Sequence, residues 1–363
     1  MRGGIAHFIA LLASHLKTRH SVGIFSFTRQ YPAFLFPGKT QMEEGTPGIP
    51  VDASAEIDSV NPFNWIRVGL KVRRERPDVI LYKYWMPFFG PCFGTICAIA
   101  RWRRATRVIA ICDNVIPHEH RPGDTVFTKY AFAFTDGYIV MSDSVEKDLQ
   151  AMVRHPRYVK AAHPVYEIFG AGVPKSDARA RLGLEGGNVI LFFGYVRKYK
   201  GLHTLIDAMA LVPRELNITL LVVGEYYGDE RDYRDHIAAA GVGGVVRVHS
   251  DYVPNEKVAD YFCASDAVIL PYLSATQSGI AQIAYQFGRP VIATDVGGLA
   301  EVVIDGVSGI IVEPGQPRLL ADAIERFFAE RLETRLAAGA AEEKKKYSWD
   351  TIVAAVEHLA KAE

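Results

Sequence analysis

Short apolar runs typical of buried strands alternate with amphipathic helical patterns along nearly the whole chain, and this alternation constrains the fold more than any other feature. It is most regular in the second half, where strands are predicted at 189–193, 218–223, 245–249, 267–270, 290–294 and 309–312. Helices are predicted between and after them, at 203–211, 233–240, 256–263, 279–287 and 316–336. Because strands joined by helices pair in parallel with helices on both faces, the second half is predicted to be a doubly wound sheet.

The first half alternates in the same way but opens on a helix. Apolar residues recur at helical spacing from Ile5 to Leu16. Strands follow at 22–27, 79–82, 107–112 and 137–141, with helices at 62–76, 93–104, 124–134 and 144–154. Since a βαβ unit is normally entered from a strand, a start on a bare helix indicates that the first strand of this domain is missing. A start codon placed too far downstream, or a truncation, would account for it.

The length of 363 residues suits about two domains, each with its own core. The pattern loosens where Pro164, Gly170, Gly172 and Pro174 lie close together, as in an interdomain connection. We therefore predict an α/β protein of two tandem doubly wound, Rossmann-like domains, at residues 1–165 and 166–345. A helix within 346–363 is predicted to pack back toward the first domain. Because such sheets bind ligands at the carboxyl ends of their strands, the cleft between the domains is the expected site.

Charge and cysteine content exclude several classes of protein. Lysine plus arginine and aspartate plus glutamate both number 41, so no net field draws the chain to nucleic acid. The four cysteines show no CxxC pair and no metal-ligand spacing, which predicts reduced, buried thiols without structural zinc. The uncharged stretch at 85–100 is too short to cross a bilayer, and no signal-peptide pattern opens the chain. A cytoplasmic location is therefore expected.

The strand predicted at 189–193 runs into the sequence FGYVRKYKG, which places three cations within four positions at a turn into a helix. Arg197, Lys198 and Lys200, together with the backbone N–H groups of the following helix, suit an anionic diphosphate. A solvated cluster of surface charges would have the same composition. These residues alone leave both interpretations open.

Gly194, Lys200 and Gly201 have the spacing of the GxxxxxKG element that opens the donor-binding domain of GT-B glycosyltransferases. Further matches follow in order, with LVVG at 221–224, DAVILP at 266–271 and, most specifically, GRPVIATDVGGLAE at 288–301. The chain therefore resembles the GT-B enzymes of glycosyltransferase family 4 over its whole second half. The resemblance implies a GT-B architecture and transfer of a sugar from a nucleotide-activated donor to an acceptor hydroxyl.

In the first half Gly3 and Gly4, followed by a helix, resemble the glycine loop that lets the family's backbone approach the donor phosphate and the acceptor. Met141 and Ser142 resemble its strand–Ser–helix element. In the family the glycine loop follows a central first strand, whose loss would expose two sheet edges. The resemblance thus gives a second indication of a missing strand.

One family feature is absent from the second half. Many members carry two glutamates, separated by seven residues, that are associated with the transferred sugar and the ribose; Ala275 and Ile283 occupy those positions here. The local sequence offers hydroxyls, amides and a helix N-terminus instead, which can hold phosphate or sugar hydroxyls. The predicted donor-binding residues are Gly3, Gly4, Arg197, Lys200, Gln277, Ser278, Gly279 and Gln282. A structural N-cap is the alternative for Ser278, and Gln282 reaches the ribose only if the helix register shifts by one residue.

The segment CDNVIPHEH, at 112–120, leaves another strand end. Family members often have a histidine where Asp113 stands, near the reacting sugar. Asp113 and His118 are therefore predicted as catalytic residues, since either can hydrogen-bond hydroxyl groups and exchange protons if its surroundings shift its pKa. Lys83 and Trp85 follow a further strand end, where they either contact a sugar or acceptor or simply pack.

Retaining, metal-independent glycosyl transfer is the leading interpretation, with Lys200 and Arg197 neutralising the leaving diphosphate. The nucleotide-sugar is a co-substrate, no cofactor or metal is expected, and the chain contains no DxD motif. The acceptor is expected to be a glycan or a lipid-linked molecule. Basic clusters at 71–76 and 101–107 suit peripheral contact with the inner face of a membrane, or are solvated helix ends.

Two alternatives remain open at this point. A catalytically decayed protein that binds a nucleotide-sugar or a glycan would explain the missing glutamates and the missing strand. A sugar-nucleotide epimerase or a phosphorylase could share the two-domain fold, but nothing in the sequence indicates the lysine that would carry a phosphorylase's pyridoxal phosphate.

Overall fold

The computed structural model describes residues 4–32, 51–117, 121–184 and 186–361. Within these residues the chain divides into two compact units. The first unit comprises the chain up to Pro164 together with the segment that begins at Ser348, and the second comprises Val165–Tyr347. The boundary after Pro164 coincides with the start of the proline- and glycine-rich stretch of sequence. The chain rejoins the first unit at Ser348, just before its last helix.

The first unit contains two parallel sheets, and helices connect the successive strands of the larger one. Its elements before the boundary are α1 (Gly4–Lys17), β1 (Phe25–Arg29), β2 (Ser54–Asp58), α2 (Pro62–Glu75), β3 (Val79–Tyr84), α3 (Gly90–Arg101), β4 (Arg107–Cys112), α4 (Asp124–Phe132), β5 (Gly137–Val140), α5 (Asp143–Met152) and β6 (Tyr158–Lys160). β1 and β2 form one sheet, and β3, β4, β5 and β6 form the other in that order. The first predicted strand begins later than expected, at Phe25, because the chain around Ser21–Gly23 carries no ladder hydrogen bonds.

Among the described residues, β1 and β3 each pair with one strand and so lie at the edges of their sheets. Phe27 of β1 and Ile80 of β3 nevertheless pack against the same apolar cluster, which includes Val68 and Cys92. The described residues begin with α1. The predicted additional strand before α1 therefore stays a prediction.

The second unit is a single six-stranded parallel sheet covered by helices. Its elements are α6 (Lys175–Arg181), β7 (Asn188–Phe193), α7 (Leu202–Leu211), β8 (Ile218–Val223), α8 (Glu230–Ala239), β9 (Val246–His249), α9 (Asn255–Ala264), β10 (Ala267–Leu270), α10 (Gly279–Gln286), β11 (Val291–Thr294), α11 (Leu299–Val302), β12 (Gly309–Val312), α12 (Pro317–Ala329) and α13 (Glu333–Lys344). The strand order is β12-β11-β10-β7-β8-β9. This is the doubly wound arrangement that the alternating pattern predicts.

The helix predicted at 316–336 is wrong as a single element. The structure contains α12 and α13 there, separated at residues 330–332, and Arg331 in this break has a left-handed φ of 52°. Leu332 in the break and Leu336 in α13 are both buried. The apolar periodicity therefore continues from α12 into α13, and the break between the two helices cannot be recognised from it.

The last helix, α14 (Trp349–Ala360), packs within the first unit although it follows the second unit in the sequence. Trp349 is buried, and its ring centroid lies 5.1 Å from that of Phe8 in α1. At the other end of the helix, the Arg157 guanidinium donates a hydrogen bond of 2.9 Å to the carbonyl oxygen of Leu359. α14 is therefore part of the core that supports β4 and β5.

Candidate functional site

The sheet of the second unit places a ligand site at one particular edge. From β7 the sheet grows in one direction through β8 and β9 and in the other through β10, β11 and β12. The loops that leave the carboxyl ends of β7 and β10 therefore diverge, and a crevice forms at such a switch point. Lys200 follows β7 and Ser278 follows β10, so the two predicted segments lie at this point of the sheet.

Lys200 is the most informative side chain there. It is only 9% exposed, and it makes no ion pair with any residue in the part of the chain that the structure describes. Burial lowers the pKa of Lys200, the nearby Arg197 lowers it further, and Tyr199 opposes the shift. Since a buried cation is normally compensated by a carboxylate, this arrangement favours binding of an anion from solution.

The position of Lys200 is set by the glycine that follows it. A short 3₁₀ helix at Lys198–Lys200 ends at Gly201, whose φ is 68°. A Cβ atom at Gly201 would lie 1.9 Å from the carbonyl oxygen of Pro271, which belongs to the loop after β10. Only glycine allows this approach, so the loops after β7 and β10 meet backbone to backbone.

Two further glycines bring the remaining parts of the site together. A Cβ atom at Gly194 would lie 3.2 Å from Lys200 Nζ and 3.3 Å from the Cδ1 atom of Ile280 in the first turn of α10. A Cβ atom at Gly224 would lie 2.1 Å from the carbonyl oxygen of Gly194. The end of β7, the buried ammonium and the start of α10 thus converge on one small region.

The alternative role of Ser278 as a helix cap is not what the structure shows. Ser278 occupies the N-cap position of α10, but its side chain accepts no hydrogen bond from the helix. Its hydroxyl instead lies 3.4 Å from the hydroxyl of Tyr272. The first-turn N–H groups of α10, which carry the positive end of the helix dipole, are therefore not covered by Ser278.

Tyr272 is a site residue that sequence reasoning missed. It is buried, its ring centroid lies 5.4 Å from Lys200 Nζ, and its hydroxyl approaches Ser278. Tyr166 is a second one, because a Cβ atom at Gly279 would lie 3.0 Å from its Cε2 atom. Their only sequence signal is an aromatic residue just after a strand end or a domain boundary, which is too common to be specific.

The geometry of Ser278 gives a direct prediction for stability. Replacing Ser278 with alanine is expected to change the free energy of unfolding by less than about 0.5 kcal/mol, because no helix cap is lost and the 3.4 Å contact with the Tyr272 hydroxyl is too long for a strong hydrogen bond. Ser142 is the matched control, since its hydroxyl accepts from the Val145 N–H at the start of α5. Ser142→Ala is expected to cost about 1 kcal/mol. Urea unfolding of both variants measures the difference, and equal losses would restore a capping role for Ser278.

Arg197 also lies at this edge, in a different setting. Its guanidinium stacks on the ring of Tyr227 at 4.4 Å, and it makes no ion pair with the described residues. Tyr195 packs edge-on against the same ring, with centroids 4.8 Å apart. A backbone bridge between Val196 and Tyr226 ties the loop after β7 to the loop after β8. The charge of Arg197 is therefore held over an aromatic face rather than neutralised.

The positions of the other predicted donor-binding residues say less about how a donor would be bound. Gln277 lies in the loop before α10, and Gly279 is the first residue of that helix. Gln282 is fully buried, and neither its amide nitrogen nor its amide oxygen has a hydrogen-bond partner among the residues that the structure describes. Its contact with a donor stays a prediction. Gly4 is the first residue of α1, whereas Gly3 lies outside the described residues.

The predicted catalytic residues belong to the first unit. His118 lies outside the described residues. Asp113 directly follows β4, at the carboxyl end of the strand, and its carboxylate Oδ1 lies 2.8 Å from the ammonium of Lys83 in β3. This ion pair was not expected from the sequence. The catalytic role of Asp113 stays a prediction.

Comparison with known proteins adds independent information. A family model of the group 1 glycosyl transferases matches residues 187–330, which form most of the second unit. The D-inositol 3-phosphate glycosyltransferase 1 of Catenulispora acidiphila is 33% identical over 324 residues, which cover 83% of this chain and 71% of that protein. The chain spans only 44%, 64% and 47% of the length of three other D-inositol 3-phosphate glycosyltransferases.

Solved structures resemble both units at low sequence identity. The sucrose-phosphate synthase of Thermosynechococcus elongatus has a TM-score of 0.77 and 21% identity, covering 98% of this chain and 92% of that one. The Anabaena protein HepE, in complex with UDP and glucose, has a TM-score of 0.70 and 22% identity over 86% of this chain and 87% of its own. These likenesses show a shared fold.

Proposed function

Because this chain belongs to the group 1 glycosyltransferases, with the GT-B fold, we propose that it transfers a sugar from a nucleotide-sugar donor to an acceptor hydroxyl. The observation that carries the proposal is the buried ammonium of Lys200, which lacks an acidic partner among the described residues and lies beside the start of α10. A diphosphate supplies the missing negative charge. HepE, which shares the fold, has been crystallised with UDP and with UDP-glucose.

The chemistry follows from where charge develops. When the bond between the sugar and the diphosphate breaks, the leaving group gains negative charge, and donors that are already in place stabilise it. Lys200 and the first-turn N–H groups of α10 are held in place by the packing of the loops, and Arg197 adds a second cation. In this proposal these positive groups stabilise the leaving diphosphate without a metal ion or another cofactor.

Two finer parts of the proposal rest on the family resemblance. Retention of the anomeric configuration is one, and a glycan or lipid-linked acceptor is the other. Ala275 and Ile283 replace the glutamates that many relatives use, so the donor sugar and ribose must be held by other groups. The hydroxyls and amides before α10 are the candidates.

Those two replacements also favour one competing function. A protein that binds a nucleotide-sugar without turning it over would need the Lys200 site but no sugar-orienting carboxylates. Calorimetric titration of the full chain with UDP, GDP and ADP tests the shared part of both functions. Tight binding of one nucleotide is expected, and a folded protein that binds none of them would contradict both.

We also propose that the first unit contacts an anionic membrane surface. Three large apolar side chains on α2 are exposed: Phe63 at 84%, Ile66 at 45% and Leu70 at 44%. Arg67 and Arg74 are exposed on the same helix. Exposed apolar side chains beside arginines suit the interface of an anionic bilayer. None of the helices in the described ranges is both long and apolar enough to span a membrane.

Two of the cations in the basic clusters at 71–76 and 101–107 are already paired with carboxylates and are not available for this contact. Lys71 is paired with Glu56, and Arg101 is paired with Asp136. These two cations therefore serve the fold. Trp102, at the end of α3, is 61% exposed and adds an aromatic side chain of the kind found at membrane interfaces.

Flotation with vesicles tests the membrane proposal. The double variant Phe63→Ser/Leu70→Ser is expected to lower the fraction bound to vesicles with 30% phosphatidylglycerol by roughly tenfold, because two apolar insertions are lost. Leu211→Ser is the matched control, since Leu211 is 45% exposed but lies in the second unit. Equal binding of both variants, or no binding by the unaltered protein, would overturn the proposal.

A further inference from the structure

We propose that Lys83 is a positioning residue, which holds Asp113 as an ionised hydrogen-bond acceptor in one fixed orientation at the carboxyl edge of the first unit's sheet. The hydroxyl group that Asp113 accepts from would belong to the sugar or to the acceptor. The inference therefore rests on the proposed function for its purpose. The ion pair itself is observed in the first unit and does not depend on the proposed function.

The two partners differ in what can reach them. Lys83 Nζ lies 2.8 Å from Asp113 Oδ1, and the side chains are 3% and 16% exposed, respectively. A bound molecule can therefore contact Asp113 but not Lys83. Lys83 acts only through the carboxylate beside it.

The surroundings of Lys83 leave Asp113 as its charge partner. Its ammonium lies 3.3 Å from the centroid of the Phe8 ring in α1, which offers a π face but no charge. Two other titratable groups in the described chain face it: the buried thiol of Cys112, whose pKa is raised by burial, and His163, which follows β6. Burial, and then the Lys83 cation, lower the pKa of His163 to about 3. Burial also lowers the pKa of Lys83, and Asp113 opposes that shift. The imidazole of His163 is therefore uncharged at neutral pH, and the proposal takes the pair beside it as an ammonium and a carboxylate.

The backbones on both sides of the pair are fixed. Lys83 is opposite Ile111 in the parallel pairing of β3 with β4. The Asp113 N–H extends that pairing by donating 2.8 Å to the carbonyl oxygen of Tyr84. The next residue, Asn114, donates its side-chain amide to the carbonyl oxygen of Trp85 at 3.4 Å. The carboxylate is therefore positioned by a sheet rather than by a free loop, which is the support that an accurate binding group needs.

Stability alone does not explain the pair. Removing an ammonium and a carboxylate from water is unfavourable, and two apolar residues of the same size usually serve a core as well or better. The pair also lies at the carboxyl end of parallel strands, where such sheets bind their ligands. A functional requirement for an oriented carboxylate accounts for both facts.

The test uses the full chain in four forms: Lys83→Met, Lys83→Arg, Asp113→Asn and the double variant Lys83→Met/Asp113→Asn. Carboxyl titration by ¹³C NMR of aspartate-labelled protein, assigned by the loss of one signal in Asp113→Asn, reports the carboxylate directly. Without the cation, the Asp113 signal of Lys83→Met is expected to titrate about one to three pH units higher than in the unaltered protein. Lys83→Arg is expected to restore most of the shift.

Turnover of the nucleotide-sugar gives the second readout. In Lys83→Met the kcat is expected to fall at least tenfold near neutral pH, and the acid limb of its pH profile to move upward with the NMR titration. Binding of the nucleotide is expected to be unchanged, because the proposed diphosphate ligands Lys200 and Arg197 lie in the second unit and are not altered. The double variant is expected to unfold at a higher temperature than Lys83→Met, since it no longer holds a carboxylate whose neighbouring cation has been removed.

An Asp113 titration that shifts by less than 0.3 pH unit in Lys83→Met would overturn the inference, whatever the turnover. So would a Lys83→Met enzyme with an unchanged pH profile. If the NMR shift appears but no nucleotide binds to any form, the pair is confirmed and the proposed function fails instead. The two failures are thus distinguishable.

Discussion

Replacing Lys200 with methionine is expected to weaken binding of the nucleoside diphosphate by about 100-fold, or about 2.7 kcal/mol, the largest effect of any single change on ligand binding. The ammonium is buried without an acidic partner in the described chain, so its attraction to a diphosphate is little screened by water. Methionine has a similar length and can keep the packing against Tyr272. The loss therefore reports the charge. Titration calorimetry measures it.

The same substitution separates binding from stability. Because burial of an unpaired ammonium is unfavourable, Lys200→Met is expected to leave the melting temperature of the unliganded protein unchanged or higher. Lys198→Met is the matched control, since Lys198 lies in the same turn but is exposed. It is expected to change nucleotide affinity less than threefold. An equal loss in both variants, or a melting temperature several degrees lower in Lys200→Met, would mean that Lys200 is not the anion-binding group.

Replacing Gly201 with alanine is expected to lower the free energy of unfolding by about 3 kcal/mol or more. The left-handed φ of 68° is one cause, and the other is the new Cβ atom, which would lie 1.9 Å from the carbonyl oxygen of Pro271. Backbone atoms cannot move aside as a flexible side chain can. The loops after β7 and β10 must therefore separate, and Lys200 moves with them. Urea unfolding measures the stability loss, and calorimetry the accompanying loss of nucleotide binding.

Gly306 is the control for the backbone contribution alone. Its φ is 70°, almost the same as that of Gly201, but a Cβ atom there would meet nothing within 4 Å. Gly306→Ala is expected to cost only about 1 kcal/mol and to leave nucleotide binding intact. If both variants lost the same stability, the contact between the two loops would not be a constraint on the site.

Regular alternation made the second unit predictable. The parallel strands of that unit are buried on both faces, so each reads as a short apolar run between helices, and β8 was predicted with the bounds that the structure has. The GxxxxxKG spacing also led to Lys200, because the glycines that position it are neighbours in the sequence. What the motif could not give is its burial, which depends on the loop after β10 and on Tyr272.

Other features depend on contacts that residue type and spacing do not encode. Serine is a preferred N-cap residue, yet the Ser278 hydroxyl approaches Tyr272, six residues earlier in the loop after β10. Arg197 is a residue type that often binds phosphate, yet its guanidinium stacks on Tyr227, which belongs to the loop after β8. Lys83 and Asp113 are brought together by the register of two parallel strands, and no spacing in the sequence encodes that register.

Release of a nucleoside diphosphate from a nucleotide-sugar tests the central claim most directly. The full chain is incubated with each common nucleotide-sugar, labelled in the sugar, together with a lipid and glycan extract, and both the free nucleotide and the labelled product are followed. The proposed function predicts release from one nucleotide-sugar, transfer of its label, and a rate at least 100-fold lower in Lys200→Met. A protein that binds the nucleotide-sugar tightly, yet releases no diphosphate and transfers no label, would contradict the account and identify a binding protein.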